Sequence, residues 1–577
     1  MHPGAVAGTV PPRMPARLAS FTRLAALPRW LAPLLALAAC GLVASTWHYF
    51  GHTWDEPEHI AVGLTLIDRN EYLFDDQHPP LARLMGALGP YLAGARPPAR
   101  AGIDPALYGE ETGRQILYHS TASYDTLLTL ARAGMLPFLA LLVLAFWHWM
   151  RRDFGEQMAL VGSGFLLTTP VLMGHAGVMA LDMPVTATCV LGFACLVRWV
   201  EAPTLARAAS LGLATGLAVS TKLSALPFLA VAGLALLAAR VVLAHRAGEP
   251  YAVAARLKGA GLAFALCVAV AIASYGPHLV YLTNPTYAPN PAIDFLVGSS
   301  GRLHDVAYEL AARVRVPLGV QEFTDNFIGV TFHNTHGHQS YLLGQTGLMG
   351  WWYFYPVALA VKTPIPLLVL GLAGLTLLAR QGWSERSVAR LAPPFAFAAI
   401  LGFCMAYSHI NIGVRHVMVL YPLLAIGAAA AVLEAWRRWA QPAARAGIAV
   451  LVAWQLATMV VAYPDYLAYF NAIAGAHPER ILVDSDLDWG QDLKRLSQEL
   501  ARRQVPFVSI AYMGSADLTL EHLPPFKRLG PGDRATGWVA VDMLSLKERR
   551  QDFDWLAGAT PVARVGQSID LYFIAPR

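Results

Sequence analysis

Residues 45–63 read STWHYFGHTWDEPEHIAVG, the close of a greasy segment followed by Asp55, Glu56, Glu58 and His59 in close succession. The apolar stretch before them, residues 30–50, is long enough to cross roughly 30 Å of hydrocarbon as a helix. Carboxylates at the exit of such a helix either meet water at the membrane surface or serve chemistry held there. The rest of the chain bears on which.

The chain has 577 residues, of which 56% are hydrophobic and 14% charged. Apolar runs of about 18 or more residues recur, which makes it a polytopic α-helical membrane protein. Spans are expected near 30–50, 126–149, 158–174, 183–200, 209–221, 224–243, 259–278, 353–379, 391–408, 416–434 and 446–462, about eleven in all. A Pro-bearing leader over residues 1–29 carries Arg13, Arg17, Arg23 and Arg29. The first apolar segment is long and no small-x-small cleavage site precedes the acidic stretch, so it reads as a retained helix and not a signal peptide. The five cysteines, Cys40, Cys189, Cys195, Cys267 and Cys404, all sit in apolar segments, where none is placed for a disulfide in an aqueous domain. The net charge of +5 gives no reason to expect a nucleic-acid partner, because the arginines serve better as topology markers.

With a cytoplasmic N-terminus, Arg151 and Arg152, Arg198 and Arg207, Arg240 to Lys258, Arg380 to Arg390, and Arg437 to Arg445 all fall in inner loops, as the positive-inside rule requires. Residues 51–125, 175–182, 279–351 and the tail after 463 are then outside. In the first outer segment, HPPLARLMGALGPYLAG places Leu81, Leu84, Met85, Leu88, Tyr91 and Leu92 at helical spacing behind Pro79 and Pro80, with Arg83 off the stripe. This suits a helix lying in the interface plane. The tail 463–577 reads as a small soluble α/β domain: RILVD, VPFVSIAYM, TGWVAVDML and SIDLYFIAP as strands and QDLKRLSQELARR as an amphipathic helix.

This topology brings charges from distant parts of the chain to one face. Asp55 and Glu56 follow the first span, Asp182 opens the fourth and Lys222 closes the fifth. Lys362 stands about ten residues into the expected eighth helix, and Arg415 and His416 lie outside, before the tenth span. Both cationic positions run against the positive-inside bias, which suggests an anion such as phosphate in a groove of low dielectric. Neutralisation of the nearby carboxylates is the plainer alternative, and the two are compatible.

In chain order, TWDEPEH, DDQHPPLARLM, GHAGVMALDMP, GLAVSTKLSALPF, GWWYFYPVALAVKTPIPLL and NIGVRHVMVLYPLLAI resemble the GT-C glycosyltransferases, near the branch of protein O-mannosyltransferases and the aminoarabinose transferase of lipid A. DSDLDWGQDLKRL, opening the tail, is similar to bacterial phospholipid-carrier-dependent glycosyltransferases. Each motif is weak alone, and the ordered set covers nearly the whole chain.

The resemblance implies a GT-C fold and transfer of a sugar from a polyprenyl-phosphate donor to a lipid, glycan or protein acceptor on the outer face of a membrane. It assigns the general base to Asp55, with Glu56 beside it, and a second acidic position to Asp182. Lys222, Lys362, Arg415 and His416 would hold the donor phosphate; His59, His78 and Tyr341 are candidate substrate contacts, with exposure to water the plainer alternative for Glu58 and His59. Together with the Ala- and Arg-rich composition, the tail motif suggests a bacterial inner membrane.

The chemistry is consistent with these assignments. A sugar on a polyprenyl phosphate already has a good leaving group, so one positioned carboxylate must take the acceptor proton and cations must meet the charge growing on the departing oxygen. Direct displacement inverts the anomeric centre. A retaining course needs a carboxylate nucleophile about 5 Å from the acid/base, and it stays open at this stage.

Two clusters stand apart. His333, His336 and His338 in FHNTHGHQSYLLGQ have a spacing that could hold a divalent metal, yet no Cys or nearby carboxylate completes the set, and a loop closing over substrate is the alternative. Asp484, Asp486, Asp488 and Asp492 in DSDLDWGQD begin like a calcium loop, but Trp489 stands where Gly is needed and Arg495 where a Glu is needed. Capping of the next helix by Asp488 or a nearby residue, with Asp492 favourable in its first turn, explains them more simply. Outside enzymes, a transporter or flippase of a lipid-linked or anionic substrate would use the same charges, though nearer mid-membrane and with related halves. A receptor whose tail binds a partner would leave the convergence of charge without a purpose.

Overall fold

The computed structural model describes residues 28–72, 77–99, 108–282 and 291–576. Nearly all of the leader expected over 1–29, and Asp75 and Asp76 of the DDQHPP motif, lie outside these.

Among the described residues nine helices are long and apolar enough to cross a membrane: Leu31–Tyr49, Tyr124–Asp153, Asp182–Glu201, Ala225–Ala247, Val253–Ala273, Ile365–Ser384, Val388–Tyr407, Leu420–Arg438 and Pro442–Ala462. The pair Glu156–Leu167 and Pro170–Ala176, bent by 69° at its break, makes a tenth if counted as one span. The expected span 209–221 is a helix, Leu205–Thr221, but its rise of about 25 Å falls short of the hydrocarbon thickness. The expected span 353–379 is two helices, Phe354–Lys362 and Ile365–Ser384. Pro364 lacks an N–H and drives Thr363 into an extended conformation, so the first helix ends at Lys362. Lys362 therefore stands at a helix terminus and not within a continuous span.

Side-chain oxygens of Ser123, Thr204 and Ser387 cap the helices that follow them by accepting N–H bonds three residues on. Close packing uses small residues where backbones meet. A Cβ on Gly374 would lie 1.7 Å from the Gly427 carbonyl oxygen, so Ile365–Ser384 and Leu420–Arg438 can touch only through glycine.

The helix Leu81–Leu92 buries Ala82, Arg83, Gly86, Ala87 and Pro90, while Leu88 and Leu92 are exposed. Of its apolar stripe, Leu88 and Leu92 face away from the protein, Leu81, Leu84, Met85 and Tyr91 are partly buried against it, and Arg83 lies on the inward face. The small face packs on Glu56–Arg69, where a Cβ on Gly63 would meet the Arg83 carbonyl oxygen at 2.3 Å.

Between Ala273 and Phe354 the chain forms an antiparallel pair, β1 (Leu279–Tyr281) with β2 (Arg315–Pro317), the helix Leu318–His336, and a hairpin of β3 (Ser340–Leu342) and β4 (Gln345–Gly347). The tail carries a five-stranded sheet: β5 (Val508–Ala511), β6 (Phe526–Arg528), β7 (Gly537–Asp542), β8 (Ala563–Val565) and β9 (Ile569–Ile574), in the order β6-β5-β7-β9-β8. β5 runs parallel to β6 and β7, and β9 antiparallel to β7 and β8. Leu493, Leu496 and Leu500 of the helix Leu493–Arg502 seat it on one sheet face. RILVD is not a strand, since residues 478–486 form 3-10 turns that return the chain to the membrane domain. Tyr466, Ala474 and Leu482 belong to the core of that domain.

Candidate functional site

Asp55 immediately precedes the helix Glu56–Arg69, and Pro57 in the first helical turn suits that start. Asp182 is the first residue of its span, Lys222 directly follows Leu205–Thr221, and Arg415 sits in a 3-10 turn, Val414–Val417. These four elements meet around one nitrogen. Arg415 Nη1 donates to Asp55 Oδ2 at 2.9 Å and lies 3.7 Å from Asp182 Oδ2, while Lys222 Nζ is 2.7 Å from Asp182 Oδ1. Asp182 and Arg415 are buried, whereas the Asp55 side chain is 30% exposed. Two carboxylates and two cations balance.

They line a cavity of about 670 Å³, together with Glu58, His59, His78, His338 and His416. The same cavity has an apolar lining that includes Leu226, Phe228, Phe327, Val330, Phe403 and Met418. Such a cavity can take a molecule with a charged head and a hydrocarbon body.

Burial sets the protonation of the histidines. Burial, aided by Arg83, holds His59 well below the usual imidazole range. Burial and the Lys222 charge push His78 down to about 3, against the pull of Asp182. Burial and His333 lower His338 to about 4, and burial, Lys222 and Arg415 keep His416 well below its ordinary value. All four are neutral near pH 7 and act as hydrogen-bonding groups, not cations. Burial opposes the charge of Arg415, but Asp55, Asp182 and Asp484 outweigh it and push its value up.

Several expected site residues lie elsewhere. Glu56 is fully buried and does not line the cavity; it accepts from Arg132 Nε and Nη2, Met179 N and Thr53 N, each at 2.8 Å. Its carboxylate is occupied in holding the Asp55 loop to two other segments. Lys362 is also fully buried away from the cavity, donating to the carbonyl oxygens of Leu467, at 2.8 Å, and Asp486, with Nζ 4.3 Å from the Phe470 ring centroid. It ties the helix end to the returning tail segment. Tyr341 packs among Val483, Leu487, Met543 and Leu544, a hydrophobic contact between the hairpin and the tail.

His333 bridges Gln77 Oε1, at 2.7 Å, and His338 Nδ1, at 2.9 Å, on the cavity wall. His336 points instead to Phe332, on whose ring it stacks, so the three histidines do not converge. Among the described residues no group of three or more His, Cys, Asp or Glu side chains is arranged to hold a metal ion.

Asp488 does not cap the following helix: it accepts from Gly490 N at 3.2 Å and Leu544 N at 3.0 Å. Asp492 stands at the cap position but accepts from Gln567 N and Ser568 Oγ.

Sequence reasoning missed Arg83, which donates to His59 Nδ1 at 3.3 Å and Tyr72 Oη at 2.7 Å, and Arg132, the partner of Glu56. Each is a lone arginine between apolar neighbours, and that signal could have marked both. Trp489, whose ring centroid is 4.2 Å from Arg415 Cζ, had no such signal.

Residues 67–274 match the family described as dolichyl-phosphate-mannose-protein mannosyltransferase. No curated protein matches the chain by sequence. Among solved structures, ArnT from Cupriavidus metallidurans bound to undecaprenyl phosphate has a TM-score of 0.50 at 13% identity, over 94% of this chain and 99% of that one. The archaeal oligosaccharyltransferase AglB from Archaeoglobus fulgidus, in complex with an inhibitory peptide and a dolichol-phosphate, has a TM-score of 0.47 at 12% identity, over 89% of this chain and 69% of that one. Part of the chain, residues 67–274, thus matches the mannosyltransferase family model, and nearly its whole length shares the fold of ArnT.

Proposed function

We propose that the protein is a membrane glycosyltransferase that moves a sugar from a polyprenyl-phosphate donor to an acceptor hydroxyl, with Asp55 as general base and inversion at the anomeric carbon. The observation that carries this is a cavity with both charged and apolar lining. Its apolar side chains suit polyprenyl chain, and Asp55, Arg415 and Lys222 supply a carboxylate and two cations for head-group chemistry. The undecaprenyl phosphate in the ArnT structure supports the same class of ligand here.

In this reading the acceptor oxygen attacks the anomeric carbon as its proton passes to Asp55. The bond from that carbon to the phosphate oxygen breaks and the electron pair stays on the phosphate. Arg415 fixes Asp55 through Oδ2 and leaves Oδ1 without a partner among the described residues, so one oxygen is available for the proton. Arg415 and Lys222 stabilise the departing phosphate, and His416 adds a neutral hydrogen-bonding group. Lys362 and Glu56 support the framework. The basic loops favour a cytoplasmic N-terminus and an outer location for the reaction and for residues 463–577.

The test is mass spectrometry of lipid-linked sugars and envelope glycans in cells with and without the protein. Loss of one glycan and accumulation of one polyprenyl-phosphate sugar is expected and would name both substrates; identical profiles would sink the proposal.

A further inference from the structure

The tail motif DSDLDWGQD meets the cavity from behind and grips both loops that supply its central ion pair. On the Arg415 side, the Asp486 carboxylate accepts Val414 N at 3.1 and 3.2 Å, and Ser485 Oγ donates to the Ile412 carbonyl oxygen. On the Asp55 side, the Trp489 carbonyl oxygen accepts Trp54 N at 2.9 Å and the Gln491 carbonyl oxygen accepts Gly51 N at 3.0 Å. Ser515 Oγ donates to the Trp54 carbonyl oxygen at 2.8 Å.

Trp489 serves both sides at once. Its indole, only 4% exposed, lies under the Arg415 guanidinium at 4.2 Å, while its backbone holds the residue preceding Asp55. The ring also meets His175 edge-on, with 5.8 Å between centroids. Arg415 Nε has no hydrogen-bond partner among the described residues. The plane of the guanidinium is therefore set by the contacts of Nη1 with Asp55 and Asp182 and by the indole face.

We propose that Trp489 is a positioning residue, through which the tail domain sets the geometry of the Arg415–Asp55 pair and completes the site. This rests on the glycosyltransferase reading for its catalytic consequence, but the positioning itself does not. A base displaced by about 1 Å can lose 10²-fold in rate without loss of binding.

The test uses the full-length protein in nanodiscs, with hydrogen exchange and glycosyl transfer measured on wild type, Trp489→Ala, Trp489→Phe and Asp55→Asn. Trp489→Ala should speed exchange in residues 51–56 and 412–418 together. It should lower kcat by about 10- to 100-fold with KM for the polyprenyl-phosphate donor changed less than about threefold, and Trp489→Phe should recover most of the loss. Unchanged exchange in either loop overturns the proposal. So does faster exchange with full transfer by Trp489→Ala when Asp55→Asn is dead. If Trp489→Ala fails to fold, Trp489→Leu, which fills the space without an aromatic face, takes its place: faster exchange in both loops with reduced kcat supports the proposal, and wild-type exchange in either loop overturns it. Coupled loosening of the two loops, with no transfer by wild type to any acceptor, upholds the positioning and sinks the glycosyltransferase reading instead.

Discussion

Arg415 reaches Asp55 at 2.9 Å across 360 residues of sequence, and the same nitrogen faces Asp182 at 3.7 Å. One guanidinium thus fixes the carboxylate that follows the first span and stays near the one that opens Asp182–Glu201. The contact holds Asp55 at the edge of the cavity while its second oxygen remains available.

Asp55→Asn keeps the shape and the hydrogen bond to Arg415 but removes the base. Glycosyl transfer should fall by at least about 10²-fold, the usual worth of a general base. Thermal unfolding in detergent should shift little, because the side chain is partly exposed. A radiolabelled or mass-resolved transfer assay beside a melting curve checks both. Full activity would remove Asp55 from the mechanism.

Glu56 behaves oppositely. It is buried with Arg132 and satisfies two backbone N–H groups, so Glu56→Gln or Arg132→Leu strands a buried charge. Each should cost about 3–5 kcal/mol, seen as poor yield of monodisperse protein and a lower Tm. Equal stability to wild type would show that the pair does not brace the Asp55 loop.

Lys222 and Asp182 form a third test. Lys222→Met alone leaves Asp182 without its nearest cation, and the melting temperature should drop. Pairing it with Asp182→Asn removes the stranded charge and should restore much of that loss. Transfer should stay depressed in the double variant, since phosphate stabilisation is still missing; recovery of activity with stability would assign Lys222 a purely structural role.

His78 links stability to acid. Its folded value is pushed down to about 3 by burial and by Lys222, below an unfolded value of roughly 6.5. A depressed value means that the neutral form contributes stability present above about 6.5 and lost as pH falls toward 3. His78→Gln should flatten the decline of Tm between pH 7 and 4, and an unchanged slope would contradict this.

Asp484 carries the opposite sign. Burial, reinforced by Asp55, raises its carboxyl to about 6 in spite of Arg415, above the ordinary value near 3.9. Its contribution is whole below about 3.9 and lost as pH rises through 6. Asp484→Asn should therefore raise Tm at pH 7.5 relative to wild type and leave it nearly unchanged at pH 4, by differential scanning fluorimetry.

What the sequence by itself determined was what local rules govern. Apolar length marked the spans, Pro79 and Pro80 marked the start of Leu81–Leu92, and charge out of place pointed to Asp55, Asp182, Lys222 and Arg415. These four do meet on the wall of one cavity. Only the tertiary structure decided partners. Lys362 and Arg415 look alike in sequence, as cations among apolar residues, yet Lys362 is sealed between carbonyl oxygens and Arg415 faces the cavity. Asp55 and Glu56 are neighbours, and helix geometry turns one to the cavity and the other to Arg132. Trp489 is an ordinary aromatic until folding brings the tail beneath Arg415. A buried charge is spent or available according to which groups from distant segments reach it first, and no local pattern encodes that.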